Sequence, residues 1–298
     1  MIFEKNYWKK FYKKFTDYLY NKIGLYDNYV GTNIKNIRAF FNYLNKEAGI
    51  NVGHFHQYMY VPKEDIQIIA LLPEQLNFLI YDRKFEDTLS DRLKRTKDIF
   101  VFGCTVALRV SDLMKLNRTN LEYTNGYYYL RVVSGKTQAF TRIKLPPYVI
   151  TIINKYRQRK IKTLLPKISL FNLNKNIRLL IEKAGWVSPF QKTRMKRGVA
   201  HILYKNFSTK DPYRFCDLVS SHTMRRTAIT TMLCLGMPEL LVRKISGHTS
   251  NSKEFFRYVQ LSQMYVDNEI ENFYEQLYQR KLVTTQEENS SGSLLDSD

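Results

Sequence analysis

The stretch Ala107-Leu108-Arg109-Val110-Ser111-Asp112-Leu113 sets an arginine and an aspartate into an otherwise apolar segment. Apolar residues recur at helical spacing from Ile99 to Leu116, and this periodicity predicts a helix that continues through the segment. An arginine inside such a helix needs an anionic partner, and Asp112 lies one helical turn after Arg109. By itself, the segment fits a structural Arg–Asp pair.

The hydrophobic period changes directly after this segment. Residues 121–145 are typical of strands, and Asn125-Gly126 is a strong signal for a two-residue hairpin turn. Ser134-Gly135-Lys136-Thr137-Gln138 predicts a second turn, with Lys136 at its tip. The sequence therefore predicts a small antiparallel β-sheet that ends at Pro146-Pro147.

Two polar motifs follow in the second half of the chain. In the first, the spacing of three places His222 and Arg225 on one face of a helix predicted over 222–235. In the second, Gly247 ends a helix predicted over 238–246 and presents His248 in a turn, ahead of Tyr258. Each motif is weak alone, since a polar helix start and a core tyrosine explain them equally well.

Together, these residue types suit the cleavage of a phosphodiester bond. The non-bridging oxygens gain charge in the transition state, so fixed cationic donors must surround them. Arginine suits this task because its planar fork binds two phosphate oxygens at once. The reaction also needs an in-line nucleophile and an acid for the departing oxygen.

An A-L-R-x-S-D-L segment, a hairpin lysine, an H-x-x-R pair and a G-H pair ahead of a tyrosine occur in this order. In this respect the chain resembles the tyrosine recombinase (phage integrase) family, in particular the integrases of conjugative and other mobile elements. Its two-domain length is also similar to that of Xer-type recombinases. The resemblance covers residues 70–282, whereas for residues 1–65 it rests on position and helical character.

The resemblance implies a role for each phosphate-binding position. Arg109 and Arg225 clamp the scissile phosphate, and Asp112 supports Arg109 from behind. His222 binds the phosphate and also takes part in proton transfer. His248 donates a hydrogen bond to the phosphate, although Ile245-Ser246 stands here where leucine is common before Gly-His.

The resemblance also implies the nucleophile and the acid. Tyr258 attacks and forms a 3′-phosphotyrosyl link, and Lys136 protonates the leaving 5′ oxygen. A tyrosine in water ionises near pH ~10, so cationic neighbours are needed to favour its phenolate. The interval from His248 to Tyr258 is one residue longer than in many relatives, and Tyr265 is the next tyrosine.

The implied fold is mainly α with a small antiparallel β-sheet (α+β). It comprises a helical, SAM-like core-binding domain over 1–65, a catalytic domain over 66–282 and a disordered, acidic tail over 283–298. In the first domain, Thr32 or Asn33 is expected to cap the second helix. The chain begins directly with this domain, so it is either a two-domain type or lacks an upstream part.

Charge is the strongest global feature of the sequence. Lys and Arg total 47 against 27 Asp and Glu, giving a net charge of +20, which indicates a polyanionic partner. No apolar run approaches the ~20 residues of a membrane helix, and no signal peptide is evident at the start, so a bacterial cytoplasmic location with the nucleoid is expected. A basic loop is predicted over 192–198, and the residues expected to contact double-stranded DNA are Lys9, Lys13, Lys192, Arg194, Lys196 and Arg197.

Neither a metal nor a cofactor is expected. The three cysteines, Cys104, Cys216 and Cys234, lie far apart in mixed contexts and are interpreted as reduced thiols. His54 and His56 form an H-x-H pattern, but no acidic or cysteine partner stands near it in sequence.

The function expected from the sequence is site-specific DNA recombination, for the integration or excision of a mobile element. Four protomers on two duplexes would exchange strands, and the apolar stripe Val266, Ile270, Phe273 and Leu277 would dock on a neighbouring protomer or on its own domain. The alternatives are a type IB topoisomerase and a catalytically inactive DNA-binding relative. An RNA-binding protein has the least support, because no stacking-sheet signature is evident.

Overall fold

The computed structural model describes residues 2–135, 140–157, 162–248, 252, 255–263, 266–267, 270–271 and 274. The α-helices are α1 (Ile2–Asp17), α2 (Asp27–Lys46), α3 (Pro73–Tyr81), α4 (Arg83–Thr88), α5 (Asp91–Val106), α6 (Val110–Leu113), α7 (Pro147–Arg157), α8 (Leu170–Lys183), α9 (Phe215–Leu218), α10 (Ser221–Cys234) and α11 (Glu239–Ser246). The strands are β1 (Leu121–Thr124), β2 (Tyr127–Val133), β3 (Phe140–Lys144), β4 (Pro189–Phe190), β5 (Lys192–Lys196), β6 (Val199–Leu203) and β7 (Tyr213–Arg214). The predicted fold class, mainly α with small antiparallel sheets, is confirmed.

The chain divides into two compact units. Unit 1 contains residues 1–67 and 188–215, and unit 2 contains residues 68–187 together with the chain from residue 216 onward. The sequence predicts a boundary after residue 65 and a catalytic domain over 66–282, and these functional domains stay a prediction. In the structure, the segment 188–215 groups with residues 1–67.

Gly24 and Asp27 determine where the first helical run of unit 1 ends and where α2 begins. A π-helical turn, Tyr18–Lys22, extends α1, and Gly24 then takes a positive φ of 78° that ends the helical run. The expected start of α2 at Thr32 or Asn33 was wrong, since the helix begins at Asp27. The Asp27 carboxylate at the positive end of the helix accepts a hydrogen bond from the Tyr20 hydroxyl at 2.7 Å, which stabilises the earlier start.

Residues 188–215 form a β-ribbon, whereas the sequence predicted a basic loop at 192–198. Strand β4 pairs with β7, and β5 pairs with β6 across a turn at Arg197-Gly198, where both residues have positive φ. The Asp27 carboxylate accepts hydrogen bonds from the backbone N–H groups of Arg197 at 2.8 Å and Gly198 at 2.9 Å. These bonds fix the ribbon tip to the start of α2, which explains why the ribbon belongs to unit 1.

Unit 2 is built around α5. This helix is buried along nearly its whole second half, from Thr96 to Cys104, and packs against α10. Gly103 permits the close approach, since a Cβ there would come within 2.5 Å of the Met224 sulfur. The structure therefore brings the C-terminal part of α5 beside the N-terminal part of α10.

The helix predicted to continue through Arg109 ends earlier. Helix α5 stops at Val106 because Ala107 takes the left-handed conformation, with φ 54°. Arg109 has an extended backbone and immediately precedes the short helix α6. The predicted continuous helix was therefore wrong, and Arg109 lies at a junction between two helices.

The sheet of unit 2 follows the sequence prediction. Strands β1, β2 and β3 form an antiparallel sheet in that order, and Asn125 and Gly126 both have positive φ, as the hairpin turn requires. Strand β2 ends at Val133 and leads into Ser134 and Gly135. Lys136, predicted at the tip of the next turn, lies outside the described residues.

The helices predicted over 222–235 and 238–246 are confirmed within one residue, as α10 and α11. Gly247 ends α11 in the left-handed conformation, with φ 63°. Residues 255–263 are helical. Of the last helix predicted over 264–281, only residues 266–267, 270–271 and 274 are described, and the predicted tail over 283–298 lies outside the described residues.

No helix of the described residues is long and apolar enough to cross a membrane.

Candidate active site

Arg225 is held at the centre of the site by the helix junction. Its side chain projects from α10 and is 5% exposed, and its Nη1 donates a hydrogen bond to the carbonyl oxygen of Ala107 at 2.9 Å. The left-handed turn at Ala107 therefore fixes the position of this guanidinium. Burial, and next the positive charge of Arg109, lowers the pKa of Arg225 to about 10.

Arg109 lies near Arg225 and is held from the sheet side. Its Nη1 donates a hydrogen bond to Ser134 Oγ at 3.0 Å, and Ser134 Oγ lies 3.5 Å from Asp112 Oδ2. The link between Arg109 and Asp112 therefore runs through Ser134, the residue that follows β2. The direct Arg–Asp pair that the sequence suggested was wrong, because Arg109 is not on the same helix as Asp112.

Two histidines share the electrostatic field of these arginines. Partial burial lowers the pKa of His222, and Arg226, Arg225 and Arg109 lower it further. Burial, followed by Arg225, Arg109 and Arg243, lowers the pKa of His248 to about 4. Both shifts favour the neutral form of the ring, beside fixed positive charges that a phosphate would offset.

His248 is placed by direct contacts. Arg225 Nη2 lies 3.3 Å from His248 Nε2, and Ser246 Oγ lies 2.8 Å from His248 Nδ1. The imidazole packs edge-on against the Phe255 ring, with centroids 5.4 Å apart. These contacts fix the ring between α10 and the helical residues 255–263.

Tyr258 lies next to this histidine. Its ring centroid is 6.1 Å from that of His248, and the residue is 6% exposed among Ala228, Ile229 and Phe255. Electrostatic interaction with Tyr258 acts against the lowering of the Arg225 pKa by burial and by Arg109. The structure therefore brings Arg109, His222, Arg225, His248 and Tyr258 into one part of unit 2. Of the other predicted residues, Lys136 and the alternative Tyr265 lie outside the described residues.

Three functional neighbours were missed by the sequence reasoning. Ala107 offers its carbonyl to Arg225, Ser134 bridges Arg109 to Asp112, and Ser246 contacts His248. Of these three, only Ser246 could be noticed in the sequence, because Ile245-Ser246 stands before Gly247-His248 where relatives commonly have leucine. The contacts of Ala107 and Ser134 join residues 118 and 25 positions apart, so no local pattern could indicate them.

The residues predicted to contact DNA divide into two groups. Lys9 and Lys13 are exposed on α1, and Lys192 and Lys196 lie on β5 at intermediate exposure. Arg194 pairs instead with the buried Glu64 carboxylate, at 2.7 Å from its Nε. Arg197 forms an ion pair with Asp17 and lies over the Tyr20 ring. These arginine contacts hold unit 1 together, while DNA contact for the set stays a prediction.

Within the part of the chain that the structure describes, no group of three or more His, Cys, Asp or Glu side chains could hold a metal ion. The three cysteines are free thiols. The His56 ring is buried and bonds through Nε2 to Asn42 Oδ1 at 2.8 Å. His56 therefore serves the core of unit 1.

The lowered histidine pKa values make the stability of unit 2 dependent on pH. A histidine in the unfolded chain titrates near pH ~6.5, so below that pH the unfolded state binds protons that the folded site resists. The stabilisation is complete above pH 6.5 and is lost as pH falls towards 4. The free energy of unfolding of unit 2 therefore falls between pH 7 and 4.5. We expect His248→Gln to make this fall smaller by on the order of 1 kcal/mol, a value already reduced for the partial exposure of the ring.

Urea unfolding across this pH range measures the effect, with Trp186 of unit 2 as the single fluorescent reporter in a Trp8→Phe background. His201→Gln, which changes an exposed histidine of β6, is the matched control. Equal pH slopes for the parent and His248→Gln would contradict the expectation.

Comparisons with known proteins concern the family and the fold of the chain. A sequence profile of the phage integrase family matches residues 83–264. The XerH site-specific recombinase bound to palindromic difH substrate, in a post-cleavage complex, superposes with a TM-score of 0.59 at 14% identity, covering 87% of this chain and 71% of that chain. The Tn1549 transposon integrase in complex with transposon right end DNA superposes with a TM-score of 0.57 at 17% identity, covering 83% of this chain and 79% of that chain. No curated protein sequence matches the chain.

At these identities the structural likeness shows the fold. The mainly helical fold, with two arginines and two histidines beside a tyrosine, is that of a tyrosine recombinase. Because the profile matches more than half of its length, the chain belongs to the phage integrase family.

Proposed function

We propose that the protein cleaves and rejoins double-stranded DNA at specific sites through a 3′-phosphotyrosyl intermediate, for the integration or excision of a mobile element. One observation carries the proposal. Arg225 is buried, contacts His248 and lies in the electrostatic neighbourhood of Arg109 and Tyr258. A buried arginine with a second, partly exposed arginine nearby is costly unless an anion offsets their charges, and a scissile phosphate is such an anion.

The residues suggest the order of events. Arg109 and Arg225 bind the non-bridging oxygens and stabilise the charge that develops on them. The Tyr258 hydroxyl oxygen attacks the phosphorus and gives up its proton, for which His222 is proposed as the acceptor, and the bond to the 5′ oxygen breaks. Lys136 is proposed as the acid for this oxygen. Because the phosphotyrosyl link conserves the energy of the broken bond, a 5′ hydroxyl from another strand can rejoin the DNA without ATP.

Charge and exposure support the DNA partner. The net charge of +20 attracts the phosphate backbone, and the exposed Lys9 and Lys13 on α1 are placed to contribute salt-dependent affinity. By extension of the family resemblance, we propose that four protomers assemble on two duplexes and that the C-terminal helix is exchanged between them. A DNA substrate fits a location in the bacterial cytoplasm, with the nucleoid.

A suicide-substrate assay tests the proposal. The protein is incubated with nicked duplexes that carry the end sequences of its element, in EDTA and without ATP, and the products are resolved under denaturing conditions. We expect a denaturation-resistant protein–DNA adduct on end sequences and none on a scrambled duplex. Tight binding without any adduct would indicate an inactive DNA-binding relative. Relaxation of supercoiled plasmid without an end sequence would indicate a topoisomerase.

A further inference from the structure

Arg243 lies on α11 and is buried, with 7% of the residue exposed. Its Nε donates a hydrogen bond to Glu239 Oε1 at 2.7 Å, and the two side chains form an ion pair one helical turn apart. The Glu239 side chain is 43% exposed, so the carboxylate remains in contact with solvent while the guanidinium is buried. The ion pair fixes the orientation of the guanidinium plane.

This guanidinium contacts the rings of the first two residues of the helical stretch 255–263. Its central carbon lies 4.1 Å from the centroid of the Phe255 ring and 5.2 Å from that of the Phe256 ring. Both distances are within the ~6 Å over which an aromatic face attracts a cation. Phe255 is fully buried, and its attraction is the stronger because water is excluded, whereas Phe256 is 54% exposed. Arg243 therefore joins α11 to the helical stretch mainly through Phe255.

Phe255 connects this contact to the candidate active site. Its ring lies edge-on to the His248 imidazole, with centroids 5.4 Å apart, and its centroid is 6.2 Å from that of Tyr258. Tyr258 follows Phe255 by three residues, so the two side chains share one face of the helical stretch and move together. The backbone adds a further tie, since the His248 N–H donates to the Arg243 carbonyl oxygen at 3.0 Å. Arg243 is therefore linked to His248 and to the element that carries Tyr258.

We propose that Arg243 is a positioning residue that holds the helical stretch 255–263 against α11 through Phe255, and so fixes Tyr258 at the site. This inference rests on the proposed function for its catalytic meaning. Arginine suits the role because its plane stacks on an aromatic ring while its edge stays bonded to a carboxylate. A nucleophile misplaced by ~1 Å can lose ~10²-fold in rate. The contact is therefore expected to govern the rate of attack by Tyr258 and to leave DNA affinity unaffected.

Hydrogen–deuterium exchange of the full-length protein, followed by mass spectrometry of peptic peptides, tests the contact without DNA. Arg243→Met keeps much of the side-chain volume and removes the charge. We expect it to speed amide exchange over 255–263 by roughly tenfold and to leave α10 at the parental rate. The matched control is Lys244→Met, which removes the adjacent, exposed cation of the same helix and should show parental exchange. Unchanged exchange over 255–263 in Arg243→Met, or an equal increase throughout α10, would overturn the inference.

Adduct formation on the suicide substrate gives the second readout. We expect Arg243→Met to lower the maximal rate at saturating DNA by roughly tenfold, while the DNA concentration that gives half of this rate stays within about twofold of the parental value. Arg243→Lys, which retains a cation without the stacking plane, should give an intermediate rate. A change in the half-saturating DNA concentration alone would contradict a positioning role.

A double-mutant cycle tests whether Arg243 acts through Phe255. In a Phe255→Leu background, Arg243→Met should cost much less in rate than in the parent, because the aromatic face is already lost. An equal cost in both backgrounds would overturn the inference. If Phe255→Leu does not fold, the same cycle with the exposed Phe256 replaces it, with a smaller expected coupling. If the parent forms no adduct on any end sequence, the proposed function fails, while the exchange result still decides whether Arg243 holds the stretch 255–263.

Discussion

We expect the replacement of Tyr258 with phenylalanine to reduce covalent adduct formation more than about 10³-fold and to leave DNA binding nearly unchanged. The side chain is 6% exposed and packs with Ala228, Ile229 and Phe255. Phenylalanine fills the same volume, so the fold of unit 2 is retained. Only the hydroxyl oxygen that we propose attacks the phosphorus is lost.

The suicide substrate measures this loss, and a gel-shift titration measures binding in the same preparation. Tyr265→Phe is the matched control, because Tyr265 is the next tyrosine in the chain. We expect this variant to form adduct at the parental rate. Adduct that persists in Tyr258→Phe, or disappears in Tyr265→Phe, would show that a different residue is the nucleophile.

The second large effect is expected in unit 1, where Glu64 holds the β-ribbon. Its side chain is 2% exposed, and its carboxylate accepts hydrogen bonds from the Arg194 guanidinium and from the Met195 backbone N–H. Removing one partner of a buried pair leaves the other charge uncompensated. We therefore expect Glu64→Ala to lower the free energy of unfolding by about 3–5 kcal/mol.

Urea unfolding followed by Trp8, in a Trp186→Phe background, reports on unit 1. The double variant Glu64→Ala/Arg194→Met should recover part of the loss, since it removes both charges. Asp17→Ala breaks the ion pair of the same ribbon with Arg197, in which both side chains are about 40% exposed or more. It should cost less than about 1 kcal/mol. Equal losses for Glu64→Ala and Asp17→Ala, or strict additivity in the double variant, would contradict the role of Glu64.

The ribbon has a consequence for DNA binding. Because Asp27 fixes the turn after β5 and Glu64 fixes β5 itself, the basic side chains of β5 are carried on an ordered element of unit 1. Preorganised cations bind a polyanion without the entropic cost of ordering a loop. Lys192 and Lys196 are thus suited to contact DNA, while Arg194 is occupied by Glu64.

The sequence could predict the elements that local chemistry determines. Asn125-Gly126 fixed the hairpin because both residues tolerate a positive φ, and both adopt it. His222 and Arg225 could be placed on one helix because their spacing matches the helical repeat. The group of Arg109, His222, Arg225, His248 and Tyr258 followed from the order of motifs.

The remaining features depend on contacts between residues distant in sequence. Alanine has the strongest helix preference, so nothing in the local sequence signals that α5 ends before Ala107. The left-handed turn there is matched by a hydrogen bond from Arg225, 118 residues away. The ribbon likewise depends on Glu64 and Asp27, which are 130 or more residues from their partners. A basic segment read by itself therefore predicted a loop.

The identity of the DNA-linked residue tests the central claim most directly. The adduct is digested with trypsin and nuclease, and the nucleotide-bearing peptide is fragmented in the mass spectrometer. Cleavage after Arg257 releases a peptide that begins with Tyr258 and also contains Tyr265. We expect the nucleotide on the Tyr258 oxygen, linked through its 3′ phosphate. A nucleotide on any other residue, or a link through a 5′ phosphate, would contradict the assignment of the active site.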